Sequence, residues 1–178
     1  MDNQGCFGTV TRALHWSMAV LIGWQFVGMI SKVAVGREHP VSQFLGGYHL
    51  NIGTVLFVLI VLRLAWAFIN RRNRPSHGAG LLAKAAVAGH TAIYTLMLLV
   101  PLMALIRAWG RERGFSPFGF ELFAPRTPDT VVTAAVELGD MFHGELAWLM
   151  GLLVLSHIFM AVFHHRVLRD DTMKRMLA

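Results

Sequence analysis

The sequence predicts an all-α integral membrane protein, a four-helix bundle with a short interfacial helix before the fourth span, and three observations predict it. The 178 residues are 55% hydrophobic and 15% charged, with a mean hydropathy of +0.53, well off the balance of a soluble globular domain. The apolar residues gather in long blocks instead of following an amphipathic period. Four of these blocks run to about 20 residues, enough for a helix rising about 1.5 Å per residue to cross a hydrocarbon layer of ~30 Å.

Charge-free stretches extend from Ala13 to Ser31, Val41 to Leu62, Ala85 to Ile106 and Leu146 to His165. They place the spans at approximately 11–31, 44–69, 85–107 and 141–165, and the chain, 1–178, reads as a single domain. The first block is long for a secretory signal, lacks a small-x-small cleavage site and carries His15-Trp16 near its start, so it is expected to stay as a span. Between the third and fourth spans, Trp109, Phe115, Phe118, Phe120 and Phe123 sit among charges in a Gly/Pro-rich loop suited to an aromatic belt. Thr127-Pro128-Asp129 then reads as a helix start, leading through Val131 to Leu138 as the interfacial helix, with a structural duty.

Orientation follows from lysine and arginine in the short connections. Arg71, Arg72, Arg74 and Lys84 follow the second span with no acid among them, and Arg166, Arg169, Lys174 and Arg175 follow the fourth. Both termini are therefore expected in the cytoplasm. The net charge of +6 is explained by this topology, so no nucleic-acid partner is called for. Cys6 is the only cysteine, which excludes an internal disulfide, a cysteine-rich metal cluster and covalent c-type haem attachment. There is no Gly-x-Gly-x-x-Gly fingerprint for a nicotinamide cofactor.

The chemistry lies in His15, His49, His90, His143 and His157, all in or at the ends of the apolar blocks. Ionisable groups at such depth are costly unless paired or ligated, although a single one is as readily a helix contact as a ligand. His143 and His157 are 14 residues apart, close to four helical turns, so they share a face while standing about 21 Å apart along the axis. One helix then serves two sites. His49 has the depth to face His143, and His15 the depth to face His157. Neutral imidazoles on facing helices supply the axial ligands of a six-coordinate haem; zinc or copper competes less well, because no embedded carboxylate or thiolate joins the histidines.

His90 rivals His15 for the inner position; its other readings are a hydrogen bond to a quinone or a haem propionate, and a helix contact beside Gly89 and Thr91. Arg63 lies 14 residues after His49 on the same face, and a buried guanidinium needs an anion such as a propionate, with snorkelling to headgroups as the alternative. Gly53, one turn below His49, leaves room either for a porphyrin or for close helix packing. Trp16 and Trp148 read as packing residues, His164 and His165 as interfacial anchors, and His39 and His77 as loop histidines.

Leu14-His15-Trp16, Tyr48-His49 with Arg63, Gly89-His90 with Tyr94 and Pro101, and Phe142-His143-Gly144-Glu145 with His157, His164-His165 and Asp170-Asp171-Thr172-Met173 occur in that order over four spans. In this the chain resembles the bacterial cytochrome b561 family, four-helix di-haem proteins related to the cytochrome b subunits of formate dehydrogenases and nickel-iron hydrogenases. The resemblance covers nearly the whole chain. It implies two b haems with axial pairs His15/His157 and His49/His143, electron transfer across the bilayer to a quinone, and in some members superoxide:ubiquinone oxidoreductase activity. Arg107, Arg111 and Arg113 would then steer an anion to the outer haem, or equally serve as docking charges or plain loop charges. Two alternatives remain open: a membrane anchor and electron conduit for a larger dehydrogenase or a periplasmic redox partner, and a haem-free transporter or structural membrane protein.

Overall fold

The computed structural model describes residues 2–3, 5–75 and 80–177; His77 lies outside them. Among the described residues the chain is helical, the only extended pairing being a bridge between Phe115 and Phe123. The segments Thr9–Val35, Pro40–Ile69, Leu81–Gly110 and Thr133–Leu168 are long and apolar enough to cross a membrane. Their outward faces are apolar: Val20, Ile69, Leu155 and Phe159 are 67–69% exposed. Water would penalise such a surface, whereas hydrocarbon matches it.

Helix α1 (Thr9–Val35) stops at Gly36, whose φ of 89° is a left-handed conformation that glycine adopts without strain. His39 caps α2 (Pro40–Gly47), its Nδ1 accepting the Val41 N–H at 3.3 Å, and Pro40 occupies the first turn, where a missing N–H leaves nothing unpaired. The second span is two helices: α2 meets α3 (His49–Ile69) at Tyr48. Trp24 of α1 holds this joint. Its Nε1–H donates to the Leu45 carbonyl at 3.2 Å, and its ring meets Phe44 and Tyr48 edge-on at 6.0 and 6.3 Å.

Helix α4 (Leu81–Gly110) carries Pro101 in its interior, and α5 (Thr133–Phe163) continues into a π-helical turn, His164–Leu168. A single turn, α6 (Lys174–Leu177), follows. The interfacial helix expected before the fourth span is not a separate element. Pro128–Thr130 forms a three-residue 3-10 turn capped by Thr127, Val131 is extended, and from Thr133 the helix runs unbroken through Leu138 into the span. The extended residue stops the first nucleus, and no proline follows to end the second.

α4 and α5 form the closest pair and run antiparallel, as successive contacts from Gly110 with Val132 to Arg107 with Gly139 show. Gly139 makes the approach possible: a Cβ there would collide with the Arg107 side chain and stand 2.7 Å from the Met103 carbonyl. α1 packs on α2 and α3, and α3 on α4. Midway along the bundle, Leu96, Val100 and Met150 form the buried cluster, with Phe26 and Met97 against it.

Both termini lie at one end, here the terminal end. The Phe7 N–H donates to the Arg175 carbonyl at 3.1 Å and Trp16 Nε1–H to the Met176 carbonyl at 3.2 Å. Buried Asp2 accepts from Gly8 N–H at 2.8 Å and Thr11 Oγ1–H at 2.7 Å and pairs with Arg74 at 3.4 Å, while Trp66 Nε1–H donates to Thr11 Oγ1 at 2.9 Å. At the other, loop end, the chain between α4 and α5 reaches over the bundle, with the Phe118 N–H donating to Asn51 Oδ1 at 3.1 Å.

Candidate functional site

The five histidines occupy two levels. At the loop end, His49, the first residue of α3, and His143 of α5 bring their ring centres to 6.0 Å, nearly perpendicular at 89°. At the terminal end, His15 of α1 and His157 of α5 stand 6.3 Å apart at 54°, and His90 of α4 approaches His157 to 5.1 Å. The cluster around Met150 separates the levels, which are about 21 Å apart by helical rise.

Backbone contacts orient the rings. His143 Nδ1 lies 2.9 Å from the Val100 carbonyl, which can only accept, so Nδ1 carries the proton and Nε2 keeps its lone pair for a ligand. That carbonyl precedes Pro101, whose missing N–H leaves the Met97 carbonyl, one turn earlier, without its helical donor. His90 Nδ1 likewise donates to the Ala86 carbonyl at 2.8 Å within its own helix. The start of α3 is fixed by Gln25, whose Nε2–H donates to the His49 carbonyl at 2.9 Å. Gly53 faces the same Gln25 amide, 3.4 Å from where its Cβ would be.

Arg63 is 9% exposed and does not snorkel. Its Nε–H donates to the Tyr94 hydroxyl at 3.0 Å, its guanidinium carbon lies 5.4 Å from the Tyr94 ring centre, and it stands within electrostatic reach of His15 and His157. Tyr94 is one turn from His90, so imidazoles, guanidinium and phenol share one layer. At the membrane exit His164 Nδ1 pairs with Asp170 Oδ2 at 2.6 Å. That hydrogen bond, seconded by one from the Thr172 N–H, holds the Asp170 carboxyl down to about 2. Of the loop-end arginines, Arg107 and Arg111 both pair with Asp140 of α5.

The donor set can be tested against a bound metal. An imidazole nitrogen sits about 2 Å from its metal and the ring centre about 1 Å beyond, so two rings in line across one metal have centres about 6 Å apart. His49/His143 and His15/His157 have that spacing; His90/His157 is closer. Among the described residues no group of three or more His, Cys, Asp or Glu is arranged to hold a bare ion, whereas a haem iron brings four equatorial nitrogens and needs only two more ligands. His15 Nδ1 is buried without a hydrogen-bond partner, which costs about 1–3 kcal/mol and would be relieved by coordination.

Sequence reasoning brought together the four paired histidines and set Arg63 beside the terminal-end pair, but it missed three supports. The Val100 carbonyl left no mark in the sequence, whereas Gln25, a lone amide within an apolar span, and Tyr94, one of only two tyrosines, were visible.

The family model described as prokaryotic cytochrome b561 matches residues 7–178. Cytochrome b561 homolog 2 of Escherichia coli K12 is 29% identical over 96% of this chain and 90% of its own length. Cytochrome b561 homolog 1 of the same organism is 24% identical over 92% of each chain. A probable superoxide oxidase of Yersinia pestis is 25% identical over 92% of this chain and 91% of its own.

Proposed function

The chain belongs to the prokaryotic cytochrome b561 family, haem proteins of electron transport in bacterial membranes, and from that premise we propose that it binds two b haems and carries electrons across the inner membrane to ubiquinone. The observation that carries this reading is the pair of histidine levels, each with ring centres about 6 Å apart, linked by His143 and His157 on one face of α5. His49 and His143 would hold the loop-end haem, and His15 and His157 the terminal-end haem. Haem iron supplies one-electron transfer when bound.

The protein's own residues do the rest. The Val100 carbonyl fixes the tautomer and aim of His143 and raises its basicity. Arg63, braced by Tyr94, offers a bidentate fork to a propionate of the terminal-end haem. His90, held through Nδ1 by the Ala86 carbonyl and 5.1 Å from the His157 ring, stands in the layer where a propionate or the quinone would be hydrogen-bonded. The cationic residues Arg71, Arg72, Arg74, Arg166, Arg169, Lys174 and Arg175 support a cytoplasmic terminal end.

The donor on the loop side is superoxide, as the name of the Yersinia pestis relative suggests. Two superoxide anions each give up one electron and leave as O2; ubiquinone takes the two electrons with two protons and becomes ubiquinol. The test is haem content by pyridine haemochrome, followed by ubiquinol formation in quinone-loaded vesicles supplied with superoxide. Two b haems per chain and superoxide-dependent ubiquinol are expected. Folded protein without haem would overturn the reading, and haem protein inert to superoxide would reassign the donor to a periplasmic redox partner.

A further inference from the structure

The loop end carries several cations, and the structure distributes their work unequally. Arg107 and Arg111 share Asp140. Arg126 donates to the carbonyls of Trp109 at 2.8 Å and Thr130 at 3.2 Å and lies over the Trp109 ring at 4.9 Å. Arg37 and Arg113 are exposed. Lys32, in the last turn of α1, is half-buried and makes no ion pair among the described residues.

Its position is imposed by packing. Gln25, Gly28 and Lys32 follow one another on a single face of α1 at helical spacing, and that face meets the joint between α2 and α3. Gln25 bonds the His49 carbonyl, Gly28 is close enough that its Cβ would stand 3.3 Å from the Leu45 carbonyl, and the Lys32 chain crosses Gly46. A Cβ on Gly46 would stand 2.8 Å from Lys32 Nζ, so the glycine leaves the passage the lysine uses. The ammonium is brought within electrostatic reach of His49. A half-buried ammonium at a membrane boundary with no carboxylate beside it calls for an anion.

We propose that Lys32 is the cation that binds an anionic oxygen at the loop-end haem site, the anion being a propionate of that haem or an incoming superoxide. This rests on the assignment of His49 and His143 as haem ligands. A propionate would be neutralised by the ammonium, which favours the reduced haem; superoxide would be guided to the haem by it.

The experiment compares Lys32→Gln, Lys32→Arg and Gly46→Ala, the last keeping the lysine but obstructing its path. Both haems are titrated potentiometrically, and their reduction by superoxide is followed in rapid mixing at several salt concentrations. With a propionate as the anion, Lys32→Gln shifts the reduction equilibrium of the loop-end haem about tenfold towards the oxidised form, about 59 mV for one electron. With superoxide, the potential holds while the rate falls about tenfold and loses its salt dependence. In either case Arg restores most of the effect and Gly46→Ala moves it in the same direction as Gln. Two haems with unchanged potentials and rates in all three variants would overturn the proposal and leave Lys32 a lysine that snorkels to lipid phosphate. Wild-type protein lacking haem would overturn the parent assignment and this inference with it.

Discussion

At the loop end, hydrogen bonds hold both histidines: the Val100 carbonyl orients the His143 ring, and the Gln25 side-chain amide fixes the His49 main chain. At the terminal end, His15 Nδ1 is buried without a hydrogen-bond partner, and His15 and His157 share their layer with His90, Arg63 and Tyr94. The cation at each end bears on electron flow. A buried guanidinium favours the reduced state of a nearby redox centre, so Arg63 would raise the potential of a haem held at the terminal end, as Lys32 would at the loop end. The terminal-end layer also gathers an imidazole, a guanidinium and a phenol, the kinds of group that hydrogen-bond a quinone.

Removing a ligand breaks the comparison most completely. His143→Ala is expected to lower haem content from two to one per chain by abolishing the loop-end haem, and His157→Ala to do the same at the terminal end, both read by pyridine haemochrome. His90→Ala is expected to retain both haems, since its ring stands 5.1 Å from His157, short of the spacing of rings across one metal. Loss of the terminal-end haem in His90→Ala and its survival in His15→Ala would exchange the roles of the two residues.

Arg63→Leu sharpens the comparison without emptying either site. Two unit charges about 8 Å apart at an effective dielectric of about 20 interact by about 2 kcal/mol, so the terminal-end potential should fall by an amount on the order of 90 mV. Potentiometric titration should show the loop-end potential unmoved, and the driving force between the haems correspondingly reduced. Gly139→Val acts on the scaffold one turn before His143, where α4 and α5 approach too closely for a side chain. Overpacking there is expected to cost about 1–3 kcal/mol, seen as a lower thermal unfolding midpoint.

The smallest effect belongs to Asp170. Its folded carboxyl is depressed to about 2, first by the His164 hydrogen bond, so the stabilisation it gives is present above the unfolded value of about 3.9 and is lost as pH falls from there through about 2. The group is exposed and screened, so Asp170→Asn should lower the unfolding midpoint by about a degree at neutral pH. The difference between mutant and wild type should vanish as pH falls towards 2.

The spans and the histidines were legible because a bilayer tolerates so few polar groups that each one marks a site, and because a separation of 14 residues returns to the same helix face. What was not legible depends on contacts between elements. The break at Tyr48 is held by Trp24 from another helix. The start at Pro128 looked like a helix, yet the extended residue after it confines that turn to three residues and hands the helix to Thr133. Arg107 and Arg111 read equally as steering, docking or plain loop charges until Asp140 of α5 is placed beside them, and His164 read as an anchor until the chain turned back to present Asp170. A pairing partner 29 or 31 residues away leaves no periodic mark in sequence.

The central claim is two bis-histidine haems joined by one helix, and low-temperature electron paramagnetic resonance of the oxidised protein tests it most directly. Two distinct low-spin ferric signals are expected in the wild type, with His143→Ala removing one and His157→Ala removing the other. A single signal in the wild type, or both variants losing the same signal, would contradict the account.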